Sequence, residues 1–123
     1  MAKHHIRLEL AREPDRPEGD GHDGYDLVLA LNPDHRLDVV ALTAAPEKTR
    51  VRRFVGGETV AIGHLTRDAE GRWIFDFPGD ADDETGFRLE NEPLVLGEYV
   101  SIADPSGVLH PYRVTLTRPL DEA

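Results

Sequence analysis

Three guanidinium groups stand close together at Arg50, Arg52 and Arg53, the densest cationic cluster in the chain. A guanidinium is a rigid, permanently charged fork that grips a carboxylate or a phosphate through two parallel hydrogen bonds. These three arginines are therefore the candidate ligand-binding residues, and their ligand would be an anion. On an extended strand Arg50 and Arg52 share one face and Arg53 takes the other, with Arg72 a neighbour across the next hairpin. The chain holds 14 Lys and Arg against 24 Asp and Glu, a net charge of −10. Ion pairing with the protein's own carboxylates is thus the competing expectation.

Other chemistry finds less support. Six histidines, His4, His5, His22, His35, His64 and His110, lack the His-x-x-x-His spacing that seats two ligands on one metal, and there is no cysteine. His64 and His110 fall in expected strands, where a barrel could bring them together. Asp80, Asp82, Asp83 and Glu84 crowd one loop and could offer oxygen ligands to calcium. Counted from Asp80, however, Thr85 stands where an EF-hand needs glycine and Asn91 where it needs glutamate. That loop reads as solvated charge. Gly19 to Tyr25 has the look of one calcium-binding nonapeptide, but such repeats bind between stacked copies and here there is a single one. Ser101 and Ser106 sit in no Gly-x-Ser-x-Gly elbow, and no glycine-rich phosphate loop is present. No catalytic residue, cofactor or metal site is expected.

The elements that must position the arginines are strands. Arg50–Val55, Glu58–Arg67 and Trp73–Phe77 are separated by Gly56-Gly57 and by Asp68-Ala69-Glu70-Gly71, so residues 50–77 form a three-strand meander. Trp73, Phe75 and Phe77 share one face, which is expected to be core. Upstream, Ile6, Leu8 and Leu10 alternate with Arg7, Glu9 and Ala11, giving a half-buried strand. Tyr25, Leu27, Leu29 and Leu31 mark one face of a second. Between them residues 12–24, rich in proline, glycine and charge, read as a long polar loop. Residues 37–45 allow either a short strand, from the β-branched Val39 and Val40, or a helical turn capped by Asp38. The strand that rolls into a helical turn is the expectation. Phe87–Leu89 reads as a short strand, Leu94–Ile102 and Val108–Thr117 as a hairpin, and Pro119–Ala123 as a frayed tail.

About seven or eight short strands with at most one short helix give an all-β, mainly antiparallel fold, a small barrel or curled sheet in a single domain over residues 1–123. The meander order favours a barrel. The N-terminus lacks the apolar run of a signal peptide, and no stretch of ~18 apolar residues could span a membrane. The acidic balance argues against nucleic acid and anionic membranes as partners, since both require a basic footprint. A cytoplasmic location is expected.

Leu96-Gly97-Glu98-Tyr99-Val100-Ser101-Ile102, followed by an Asp-Pro-Ser-Gly turn and Tyr112-Arg113-Val114, resembles a motif of the flavin-binding barrels of ferredoxin-reductase-like enzymes. Those barrels carry Pro-Gly-Gln-Tyr-Val-x-Leu before an Arg-x-Tyr-Ser strand. Leu96 and Glu98 here replace the proline and the glutamine, and Tyr112 precedes Arg113 rather than following it. The resemblance implies a barrel and transfers no flavin-binding residue. Residues 2–10, 52–58 and 97–102 also resemble segments of short uncharacterised bacterial proteins, a resemblance that implies no activity. The expected function is a non-catalytic module that binds a partner protein or a small ligand. The alternatives are a flavin-like cofactor-binding enzyme barrel and a metal-binding domain that uses the acidic loop.

Overall fold

The computed structural model describes residues 3–78, 84–87, 89 and 92–120, with residues 84–87 described in backbone only. The strands are β1 (Lys3–Leu10), β2 (Asp20–Ala30), β3 (Arg50–Val55), β4 (Glu58–Arg67), β5 (Trp73–Asp76), β6 (Glu84–Phe87), β7 (Tyr99–Ala103) and β8 (Leu109–Pro119). One short helix, α1 (Val39–Ala44), and a 3-10 turn at Pro46–Lys48 link β2 to β3. Each strand pairs antiparallel with the next, and β8 returns to β1, so the sheet closes into a barrel. The wall is tall along β1, β2 and β8 and low at β5 and β6, which have four residues each. The expected all-β barrel with meander order is the fold observed.

Alternation does what the sequence pattern demands. Ile6, Leu8 and Leu10, then Tyr25, Leu27, Leu29 and Leu31, then Trp73, Phe75 and Phe77 all point inward and are at most 6% exposed. Val100, Ile102, Tyr112 and Val114 complete the same core from the other side. Tyr25 is at its centre, with its ring 5.0 Å from that of Phe75 and 5.1 Å from that of Tyr112. An eight-strand barrel has an interior just wide enough for such side chains to fill.

Five expectations are corrected. Residues 37–45 form no strand beyond a single Leu31–Leu37 bridge; α1 follows instead. The Asp38 carboxylate accepts the Ala41 N–H at 3.1 Å, and Leu42 turns into the core, so cap and burial together outweigh the strand preference of Val39 and Val40. The polar loop is shorter than residues 12–24, because β2 already begins at Asp20. The short strand lies at Glu84–Phe87 rather than Phe87–Leu89, and the late hairpin begins at Tyr99 rather than Leu94. Pro119, assigned to a frayed tail, still pairs with His4, and Leu120 N–H bonds to the Lys3 carbonyl at 2.9 Å. Residues 121–123 and Asp80, Asp82 and Asp83 of the acidic loop lie outside the described residues.

Closure bends the strands, and bulges and glycines take up the bend. The register slips on β1 at Glu9/Leu10 and at Arg7/Leu8, and between β3 and β4 at Arg53/Phe54. A Cβ on Gly63 would lie 1.9 Å from the Asp76 carbonyl oxygen, and one on Gly24 1.8 Å from that of Leu8. Neither position has room for a side chain. Gly56, at φ 62°, has nothing within 4 Å and needs glycine only for its backbone angle. Gly56→Ala is therefore expected to cost about 1 kcal/mol, and Gly63→Ala more than about 2 kcal/mol as backbone is forced apart. Urea midpoints of the two variants check the order; equal losses would refute the close-approach argument.

Candidate functional site

The three candidate arginines meet three different fates. Register places Arg7, Asp26 and Arg52 in one row across the outer face of β1, β2 and β3. Asp26 lies between the two arginines, bonded to Arg52 Nη1 at 2.7 Å, Arg7 Nη1 at 3.4 Å and His5 Nε2 at 2.9 Å. The guanidinium carbons of Arg7 and Arg52 also stand 4.3 and 5.1 Å from the ring centre of Phe54. Phe54 is 1% exposed although it lies outside the main core. Arg52 is thus occupied as an ion-pair partner and as part of the cover over an aromatic ring.

Arg53 points the other way, as alternation predicts, toward one end of the barrel. Its Nη1 donates to Asp23 Oδ1 at 2.5 Å, to the Phe54 carbonyl at 2.8 Å and to the Gly24 carbonyl at 3.2 Å. Its plane lies 4.8 Å from the Tyr25 ring centre. Asp23, only 6% exposed, also accepts from Arg16 Nη1 at 3.2 Å. Burial works against the Arg53 charge most strongly, but Tyr25, the Asp23 hydrogen bond and Tyr112 outweigh it and hold the pKa above the ordinary value. Arg53 is thus engaged by groups of the fold itself. Removing one member of a buried pair strands the other, so Arg53→Ala is expected to cost about 3 kcal/mol, read as a lower denaturant midpoint at unchanged slope. A loss within about 0.5 kcal/mol, the range of ordinary surface changes, would contradict this.

Arg50 has no side-chain partner among the described residues. It lines two neighbouring depressions. One, of about 220 Å³, is shared with His5, Asp26, Val28 and Arg52. The other is a groove of about 560 Å³ bounded by Glu47, Thr49, Ile62, Gly63, His64, Asp76 and Pro78. Val51 pairs with Gly63 and His64 with Asp76, so carrying the register one residue further sets Arg50 beside His64. Arg50, His64 and Asp76 then form one outward row across β3, β4 and β5. His64 Nδ1 lies 2.7 Å from the Thr49 carbonyl, an acceptor only, so Nδ1 carries the hydrogen and Nε2 is left to the groove.

His110 is not brought to His64. It lines a separate hollow of about 170 Å³ with Glu13, Arg16, Asp23, Arg53, Asp104 and Tyr112. Its Nε2 is 2.9 Å from Asp104 Oδ2 and its Nδ1 is 2.9 Å from Glu13 Oε2. A ring with a carboxylate at each nitrogen favours the imidazolium, and its pKa is raised above 6.5, by Asp104 first and Glu13 next. Asp104 is held well below the ordinary carboxylate range, by the Ser106 hydroxyl first and His110 next. The His110 contribution to stability is whole below about pH 6.5 and is lost as pH rises through the raised folded value. The Asp104 contribution is present above its ordinary value of 3.8 and is lost as acid protonates the folded state. His110→Gln should flatten the fall in melting temperature of the wild type above about pH 6.5; an unchanged profile would remove His110 as its source.

A fourth depression, of about 550 Å³, is lined by Arg12 and Arg113 together with Tyr99, Pro111 and Thr115, and by Glu9, Glu18 and Asp20. Arg12 and Arg113 also have no side-chain partner among the described residues. Sequence reading passed over both, along with Glu47 and Asp76, because isolated charges on separate elements carry no motif. Among the described residues no three His, Asp or Glu are placed to hold a metal ion, and no helix is long and apolar enough to cross a membrane. Comparison with protein-family models, with curated proteins and with solved structures finds no match.

Proposed function

We propose that the protein is a non-catalytic binding module that seats the anionic group of a small ligand on the outside of its barrel, at Arg50. The observation that carries this reading is the contrast within the arginine cluster. Asp26 engages Arg52 and Asp23 engages Arg53, whereas Arg50, on a chain of net charge −10, has no side-chain partner among the described residues and lines a groove. The filled barrel interior supports an outer site rather than a central one, and gives no support to a cofactor held inside.

One feature favours this groove over the cleft at Arg12 and Arg113. Ile62 and Pro78 give it an apolar wall, and a guanidinium beside low-dielectric surface attracts an anion more strongly than one in open water. The field of the whole chain opposes an approaching anion, but at physiological salt it is screened beyond about 8 Å. Binding then rests on the local groups.

N-acetyl-leucine, an anion with an apolar side chain, is a suitable probe. Titrated against labelled protein, it should shift the amides of residues 49–51, 62–64 and 76. Arg50→Ala should weaken binding about tenfold or more, as expected for loss of a hydrogen-bonded charge, while the fold stays as stable as the wild type. Shifts centred on Tyr99 and Arg113 and abolished by Arg113→Ala would transfer the site to the other cleft and overturn this reading. Turnover of any substrate that is lost on a single groove substitution would overturn the non-catalytic part.

A further inference from the structure

The Arg50 groove holds unpaired charge of both signs. Glu47 and Asp76 line it with Arg50, and neither has a side-chain partner among the described residues. They do not pair with Arg50 either, although one groove contains all three. Asp76 belongs to the same outward row as Arg50, two strands away. At about 4.8 Å per strand spacing, their Cα atoms are roughly 10 Å apart. An extended arginine spans that gap, yet Arg50 and Asp76 do not pair, and the groove between them has room for a short ligand. His64 occupies the middle of the row, with its Nδ1 hydrogen held by the Thr49 carbonyl. In the neutral ring Nε2 is then a lone-pair acceptor facing the groove.

We infer that the ligand of this groove is a zwitterion of amino-acid type with an apolar side chain. The inference rests on the proposed anion site at Arg50 and goes further by naming what else the ligand carries. Arg50 receives the carboxylate. Asp76 and Glu47 receive the ammonium group, and His64 Nε2 accepts one of its hydrogens. Ile62 and Pro78 cover the side chain. A purely anionic ligand would satisfy Arg50 and leave two carboxylates facing a like charge, which disfavours it. A purely cationic ligand would leave the guanidinium unpaired. A ligand with both charges satisfies each group of the row and adds no net charge to an already acidic protein. The volume of about 560 Å³ falls within the range of small-molecule sites.

Three probes with one side chain separate the possibilities: leucine carries both charges, N-acetyl-leucine the negative alone and leucinamide the positive alone. Binding to each is read from amide shifts at residues 49–51, 62–64 and 76, on wild type, on Arg50→Ala and on the double variant Glu47→Gln, Asp76→Asn. Wild type is expected to bind leucine at least about tenfold more tightly than either of the others. The double variant should lose that preference over N-acetyl-leucine while keeping a wild-type melting temperature. Arg50→Ala should weaken leucine and N-acetyl-leucine alike. If wild type binds N-acetyl-leucine as tightly as leucine, the anion site stands and the zwitterion is refuted. Preference for leucinamide refutes both, and so does the absence of shifts at these residues with all three probes.

Discussion

Closure of β8 onto β1 is the constraint on which the rest of this structure depends. It joins the two ends of the chain, and it makes every side chain choose between a filled interior and an outer wall. Core residues from strands on opposite sides of the barrel meet around Tyr25 only because that last pairing closes the sheet. The pairing is also the most non-local contact in the fold, so the entropy of joining the ends must be met before it contributes. The price is local irregularity: β1 slips register against both neighbours, and Gly24 and Gly63 lie where a neighbouring strand leaves no space for a Cβ.

A full interior moves polar chemistry to the barrel's ends and its outside. At one end Arg53, Asp23, Arg16, His110, Glu13 and Asp104 form a self-satisfied set of charges. These ties connect the loop after β1 to the β7–β8 turn and to β3. On the wall, Asp26 performs the same service for Arg7, Arg52 and His5. In a chain with such an excess of carboxylates, a paired arginine is what composition alone predicts. An arginine that lines a groove and has no partner among the described residues is the departure that carries information, and Arg50 is one.

Much of the fold was legible because alternation is a local property. Tyr25, Leu27, Leu29 and Leu31 identify their buried face without any knowledge of their neighbours. The Gly56-Gly57 turn likewise announces itself, with both residues at positive φ. Barrel closure was less legible, since it depends on twist and bulges summed around eight strands. Residues 37–45 failed for a different reason. Val39 and Val40 carry strand preference, but the energy that decided the segment came from the Asp38 cap and from the seat that the core offers to Leu42. Local propensity yields where a cap and a buried contact agree against it.

The site was legible only in part, and one residue shows why. Counted back from the Val55–Glu58 pair with no irregularity, Arg50 would face Gly63. The bulge at Arg53/Phe54 inserts Val60 and slides β4 by one position, so Gly63 pairs with Val51 and His64 comes beside Arg50. A one-residue slip reverses which face each side chain occupies. It turns Gly63 inward, where Asp76 and Phe77 approach too closely for any side chain, and it turns His64 outward between Arg50 and Asp76. The same irregularity that lets the wall bend thus assembles the charged row of the groove. Sequence displayed Arg50, His64 and Asp76 as three unrelated residues, because the bulge that relates them is a property of the closed sheet and of no segment alone.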